Sequence, residues 1–179
     1  MSGHSKWANI KRDKAVNDAK KSQAFSKLSR LITIAAKQGG GDPDSNATLR
    51  LALEKAREAR MPKENIDKAI KKGTGAGGDG VEYHEVIYEG FGPNGEAFYL
   101  KGITDNKNRT VAEIRTIFSK FGGSLGGAGS TAYIFSSDPE NPSFEMEIPN
   151  DDIKQTLLKL IDELDSHDDI QDIYFNFDL

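Results

Sequence analysis

Residues 73–80 (GTGAGGDG) divide the chain more sharply than any other feature, because hydrophobic spacing follows different rules on their two sides. Five of the eight are glycine, the composition of a flexible linker. Before the linker, apolar residues recur at helical intervals. Phe25, Leu28, Leu31, Ile32, Ala35 and Ala36 share one face of a predicted helix over 22–38, which Gly39-Gly40-Gly41-Asp42-Pro43 ends in a loop. Ser45 or Asn46 caps a second helix carrying Leu49, Leu53, Ala56 and Ala59. Pro62 opens a third, with Ile66, Ala69 and Ile70 as its apolar edge and Lys71 and Lys72 against its C-terminal dipole.

After the linker the spacing changes to alternation. Residues 83–89 and 97–103 read as strands joined through Phe91-Gly92-Pro93-Asn94-Gly95, where Asn-Gly supplies the positive φ of a hairpin. Val111, Ile114, Ile117, Phe118 and Phe121 return to helical spacing, with Thr110 as a possible cap. Residues 131–136 and 143–148 read as two further strands. A helix follows, with Ile153, Leu157, Leu160, Ile161 and Leu164 behind a cap at Asn150 or Asp151, and then a last strand over 170–177. The order β-β-α-β-β-α-β predicts an α+β fold: an N-terminal domain of three-helix type, then a ferredoxin-like α/β sandwich. The expected boundaries are a basic helical domain over 1–73, a glycine-rich linker over 74–80 and an acidic α+β domain over 81–179.

The charges follow the same division. Residues 1–78 hold 17 Lys/Arg and 8 Asp/Glu, a net of +9, whereas 79–179 hold 7 and 20, a net of −13. Such asymmetry points to nucleic-acid contact by the basic part. The chain is 36% hydrophobic and 29% charged, a globular rather than a disordered composition. It has no cysteine, so disulfides and thiolate zinc sites are excluded. No apolar run approaches a membrane span and the N-terminus lacks the apolar core of a secretory signal, so the expected location is the cytoplasm with no membrane partner.

Catalytic machinery is sparse. His4, His84 and His167 show no spacing that places two ligands on one helix face, so no metal or other cofactor is expected. The glycine-rich run 122–130 lacks the Gly-Lys-Ser/Thr ending of a phosphate loop and reads as a turn. Residues 104–110 (TDNKNRT) offer Lys107 and Arg109 beside two amides at a strand end; they suit a phosphate or ribose, or equally a polar turn. The N-terminus supplies the stronger signal. Lys6, Lys11, Arg12, Lys14, Lys20 and Lys21 suit phosphates, and Trp7 with His4 offers a ring that either stacks on unpaired bases or docks onto the body of the protein.

Several stretches resemble one family throughout. Residues 3–11 (GHSKWANIK) are similar to the opening signature of the YebC family. So are residues 39–43 (GGGDP), 61–66 (MPKENI) continuing to 69–73, 88–93 (YEGFGP), 104–110 and the terminal 169–176. The resemblance covers most of the chain. It implies a non-enzymatic cytoplasmic protein whose bacterial members are described as transcriptional regulators that bind DNA. Other members are described as ribosome-associated translational activators that act at proline-rich stretches and contact ribosomal RNA. By the same resemblance, members carry a further α+β domain inserted after the strand matching 131–135. Here residues 136–142 lead straight to Ser143, so that insertion is missing near 136–143, and Phe175 stands where many members have histidine. Two readings of other classes stay open: an enzyme working on a phosphate-bearing substrate at 105–109, and a protein–protein adaptor held by the acidic half.

Overall fold

The structure, a computed structural model, describes residues 18–78 and 80–179. These fall into two compact units that divide between His84 and Glu85. The first holds helices α1 (Asp18–Gly39), α2 (Ala47–Glu58) and α3 (Lys63–Gly73). Its core gathers Ile32, Ala35 and Ala36 of α1, Leu49, Ala52, Leu53 and Ala56 of α2, and Ala69 of α3, the apolar stripes expected from spacing. Of the two possible caps, Asn46 is the one used. Its Oδ1 accepts from Leu49 N–H at 3.0 Å, while its Nδ2 donates to the carbonyls of Ala35 and Gly40, both at 2.8 Å. One buried amide therefore starts α2 and satisfies two carbonyls at the end of α1. Gly73 does more than end α3. A Cβ there would collide with the Thr33 carbonyl and come within 2.7 Å of the Ala36 Cβ, so α1 and α3 pack this closely only over a hydrogen.

The second unit holds a four-stranded sheet in the order β3-β1-β2-β4, with β1 His84–Phe91, β2 Ala97–Thr104, β3 Ser124–Leu125 and β4 Ile170–Phe175. Gly95 has φ 91°, as the Asn-Gly hairpin requires. Antiparallel pairing of β2 with β4 sets Phe98 opposite Phe175, Tyr99 opposite Tyr174 and Leu100 opposite Ile173. Because side chains alternate, Phe98, Leu100, Ile173 and Phe175 face one layer, made by α4 (Lys107–Lys120) and α6 (Asp151–Asp165). Ile114, Phe118, Leu157, Leu160, Ile161 and Leu164 complete that core. On the other face, Ala97 and Tyr174 pack with Ile134 and Phe135 of a single turn, α5 (Ala132–Phe135). The protein is α+β, with helices first and the sheet after them.

Two expected strands take another form. Residues 131–136 coil into α5, because the buried Glu89 carboxylate accepts from the N–H groups of Thr131 at 2.8 Å and Ala132 at 2.5 Å and bends the chain there. Residues 143–148 keep their alternation, but among the described residues a single backbone bridge joins them to the end of the sheet, Met146 to Phe177, with Met146 N–H donating to Asn176 O at 2.6 Å. The loop between these segments closes where Ser143 N–H donates to Ile134 O at 2.8 Å. Thr110 is not a cap either. Asn106 caps α4 by accepting from Arg109 N–H at 3.0 Å, so the helix begins before Thr110 and carries it into the interior.

Candidate nucleic-acid interface

Of the residues expected to meet nucleic acid, His4, Lys6, Trp7, Lys11, Arg12 and Lys14 lie outside the described residues. Lys20 and Lys21 stand in the first turns of α1, Lys21 exposed and Lys20 half-buried. Lys107 and Arg109 share the first turn of α4, both exposed. Their settings differ. The Arg109 guanidinium lies 2.6 Å from Asp169 Oδ2, 3.1 Å from Asp105 Oδ1 and 3.7 Å from Glu113 Oε2.

Asp169 is the centre of that arrangement and is only 1% exposed. Its Oδ2 also accepts from Thr110 Oγ1 at 2.6 Å, and Thr104 Oγ1 lies 2.7 Å from Thr110 Oγ1. Each hydroxyl has one proton, so a consistent chain runs Thr104 to Thr110 to Asp169, with Thr104 accepting from Asn106 N–H at 2.9 Å. The hydrogen bond to Asp169 is the largest influence on Arg109 and raises its already high pKa. Gly102 makes room for this geometry. The register of β2 on β4 shifts there, and a Cβ would lie 2.5 Å from the Asp169 carbonyl.

His167, unremarkable by sequence spacing, joins the same cluster. Its Nδ1 accepts from Asp169 N–H at 3.1 Å, which leaves Nε2 to carry the proton toward Glu113 Oε2 at 2.8 Å. Glu113, His167 and Asp169 bring ligand-type atoms within 4.8 Å of one another. The Arg109 guanidinium supplies positive charge to the same cluster. This cluster escapes a reading of the sequence because its members lie on α4 and ahead of β4, more than 50 residues apart. The only hint is polar residues inside stretches that otherwise read as strand or helix.

The α+β unit turns a second acid inward. Glu89 accepts from Gly129, Thr131 and Ala132 N–H groups and pins the glycine-rich loop. Burial opposes its charged form, but these hydrogen bonds outweigh that and hold the carboxyl below its ordinary range. The helical unit instead turns its charges outward, with Arg50, Arg57, Arg60, Lys63, Lys68 and Lys71 all exposed. Such a surface has the charge to suit phosphates, and the buried network of the other unit orients its own backbone.

Comparison with known proteins defines the class. The TACO1/YebC protein N-terminal domain matches residues 5–76, and the TACO1/YebC second and third domain matches residues 83–140. The chain belongs to the TACO1/YebC family. A "Probable transcriptional regulatory protein" of Dictyoglomus turgidum is 43% identical over 241 aligned positions, covering 100% of this chain and 96% of the relative. A protein of the same name from Pseudothermotoga lettingae is 58% identical over 135 positions, covering 75% of this chain and 53% of the relative. The crystal structure of a conserved hypothetical protein from Aquifex aeolicus superposes with a TM-score of 0.87 at 32% identity, covering 97% of each chain. Among the described residues no helix is long and apolar enough to cross a membrane.

Proposed function

We propose that this protein is a non-enzymatic, nucleic-acid-binding regulator of gene expression that binds DNA through its basic N-terminal half, as a transcriptional regulator of the cytoplasm. The division of charge carries the proposal: a net of +9 over residues 1–78 against −13 over 79–179. The outward lysines and arginines of the helical unit and the name borne by its relatives support it. His4, Lys6, Trp7, Lys11, Arg12, Lys14, Lys20 and Lys21 form the main contact surface. Lys107 is the principal member of a second patch, to which Arg109 adds only what its carboxylate partners leave exposed.

A second reading, a translational activator on ribosomal RNA at proline-rich stretches, is favoured by Trp7, since an aromatic among cations suits unpaired bases. We also propose that the insertion of longer relatives falls near 136–143 and is missing here. Support comes from the 241 aligned positions against 179 residues here, and from the end of the second family match at residue 140. Neither reading seats a function in that insertion. Crosslinking in cells followed by sequencing of bound nucleic acid separates the two. Discrete chromosomal sites support the regulator of transcription, and recovery of ribosomal RNA overturns it in favour of the second reading. Joint replacement of Lys11, Arg12 and Lys14 by glutamate abolishes recovery of either; undiminished recovery sinks both.

A further inference from the structure

Resting on the nucleic-acid reading above, we infer that two adjoining clefts of the helical unit form a track for single-stranded nucleic acid. Tyr83 is its stacking platform, and Lys68, Lys71 and Lys72 are its phosphate contacts. The first cleft, of about 390 Å³, opens between the C-terminal ends of α1 and α3 and the segment that follows; Thr33, Lys37, Lys72, Glu82 and Tyr83 are among its walls. The second, of about 490 Å³, is walled by Ser29, Lys68, Lys71, Lys72, Ala76 and Gly77. Lys72 belongs to both, which makes them neighbours. Among the described lining residues four are lysines and one is acidic, and that one, Glu82, is paired with Lys37 at 2.5 Å. In a chain of net charge −4, this is a concentration of cationic groups around concave space.

Tyr83 sets the track apart from a merely basic surface. Its half-buried ring has Lys72 Nζ 5.0 Å and Arg30 Cζ 5.5 Å from the ring centroid. These cations position the ring. A base stacking on the ring takes the place of one of them, and the displaced cation remains within reach of the adjoining phosphate. Lys68 and Lys72 stand four residues apart on one face of α3, about 6 Å along its axis, so neighbouring phosphates of one strand reach both. The glycines of the wall keep the space open. At Gly75 and Gly78 nothing lies within 4 Å of the point where a side chain would begin, and both have positive φ, 83° and 69°.

The test measures the full-length chain by fluorescence anisotropy against labelled twelve-nucleotide strands of uridine and of thymidine, with a duplex hairpin as competitor. Lys68→Glu combined with Lys71→Glu, and separately Tyr83→Leu, weaken single-strand binding at least tenfold, whereas Tyr83→Phe retains it. The lysine pair also lowers the slope of log affinity against log salt, by about 0.7 for each phosphate no longer neutralised. A 4-thiouridine strand crosslinks to the peptide containing Tyr83. A uridine preference identifies RNA as the source of the strand and equal binding identifies the shared polynucleotide chemistry; either supports the track. If Tyr83→Leu unfolds by circular dichroism, the lysine pair and the crosslink decide. A wild-type chain that binds no oligonucleotide overturns the nucleic-acid reading and the track together. Binding that all these variants leave unchanged overturns the track alone.

Discussion

The two units place their charges in opposite ways. In the helical unit the buried core is aliphatic, and many of its cations stand on the surface, some paired with exposed acids, as Lys68 is with Glu64 at 3.0 Å and Lys37 with Glu82. In the α+β unit the decisive acids are buried: Asp169 is held by Arg109 and the Thr110 hydroxyl, with Thr104 behind it, and Glu89 by three backbone N–H groups. A surface cation contributes little to stability but is available to a ligand. A buried carboxylate with matched donors fixes local geometry, and its removal strands every donor that faced it. The same residue types thus face solvent in one unit and hold backbone geometry in the other.

The largest expected break in this contrast is Asp169→Ala. It leaves Arg109, Thr104 and Thr110 facing an empty site and costs about 3 kcal/mol, read by urea unfolding of the full chain. A loss below about 1 kcal/mol would show that the network is ornamental. Glu89→Gln comes next, at about 2 kcal/mol, because an amide cannot match three N–H donors as a carboxylate does. This effect depends on pH. A lowered carboxyl pKa in the folded state contributes fully above the ordinary glutamate value, about 4.3, and the contribution is lost as pH falls through the lower folded value. The difference between wild type and Glu89→Gln therefore narrows in acid; a difference that stays constant from about pH 7 to about pH 2.5 contradicts the assignment. The smallest effect sharpens the contrast from the other side. Arg57→Ala and Lys63→Ala change unfolding free energy by no more than about 0.5 kcal/mol, and a larger change would mean that these exposed cations hold the fold.

Legibility in the sequence follows the same contrast. The three N-terminal helices are readable because each makes its apolar stripe and punctuation locally: Asn46 caps, Pro62 precedes a helix, and Gly73 closes one. The β1–β2 hairpin is readable through Asn94-Gly95. What escapes depends on partners distant in sequence. Residues 131–136 have the composition of a strand, yet Glu89, over 40 residues earlier, bends them into a turn of helix. Arg109 reads as an open cation until Asp169, 60 residues later, is placed against it. Tyr83 reads as the first residue of a strand, and only the packing of α1 and α3 gives it Arg30 and Lys72 as neighbours. Short-range pattern names the elements, whereas pairings across the chain decide the chemistry of their side chains.

The clasp between Ile134 and Ser143 has a consequence for how such chains diverge. A 2.8 Å hydrogen bond holds the two ends of the intervening loop together, and the loop leaves the core after Phe135. A segment whose own termini lie side by side can be spliced in at that point or cut away. The cost of an insertion beyond Phe135 is the modest entropy of a longer excursion, and the buried Ile134 and Phe135 keep their places. A block inserted between the clasped ends, beyond Phe135, would leave the α+β sheet and its helices free to assemble as before.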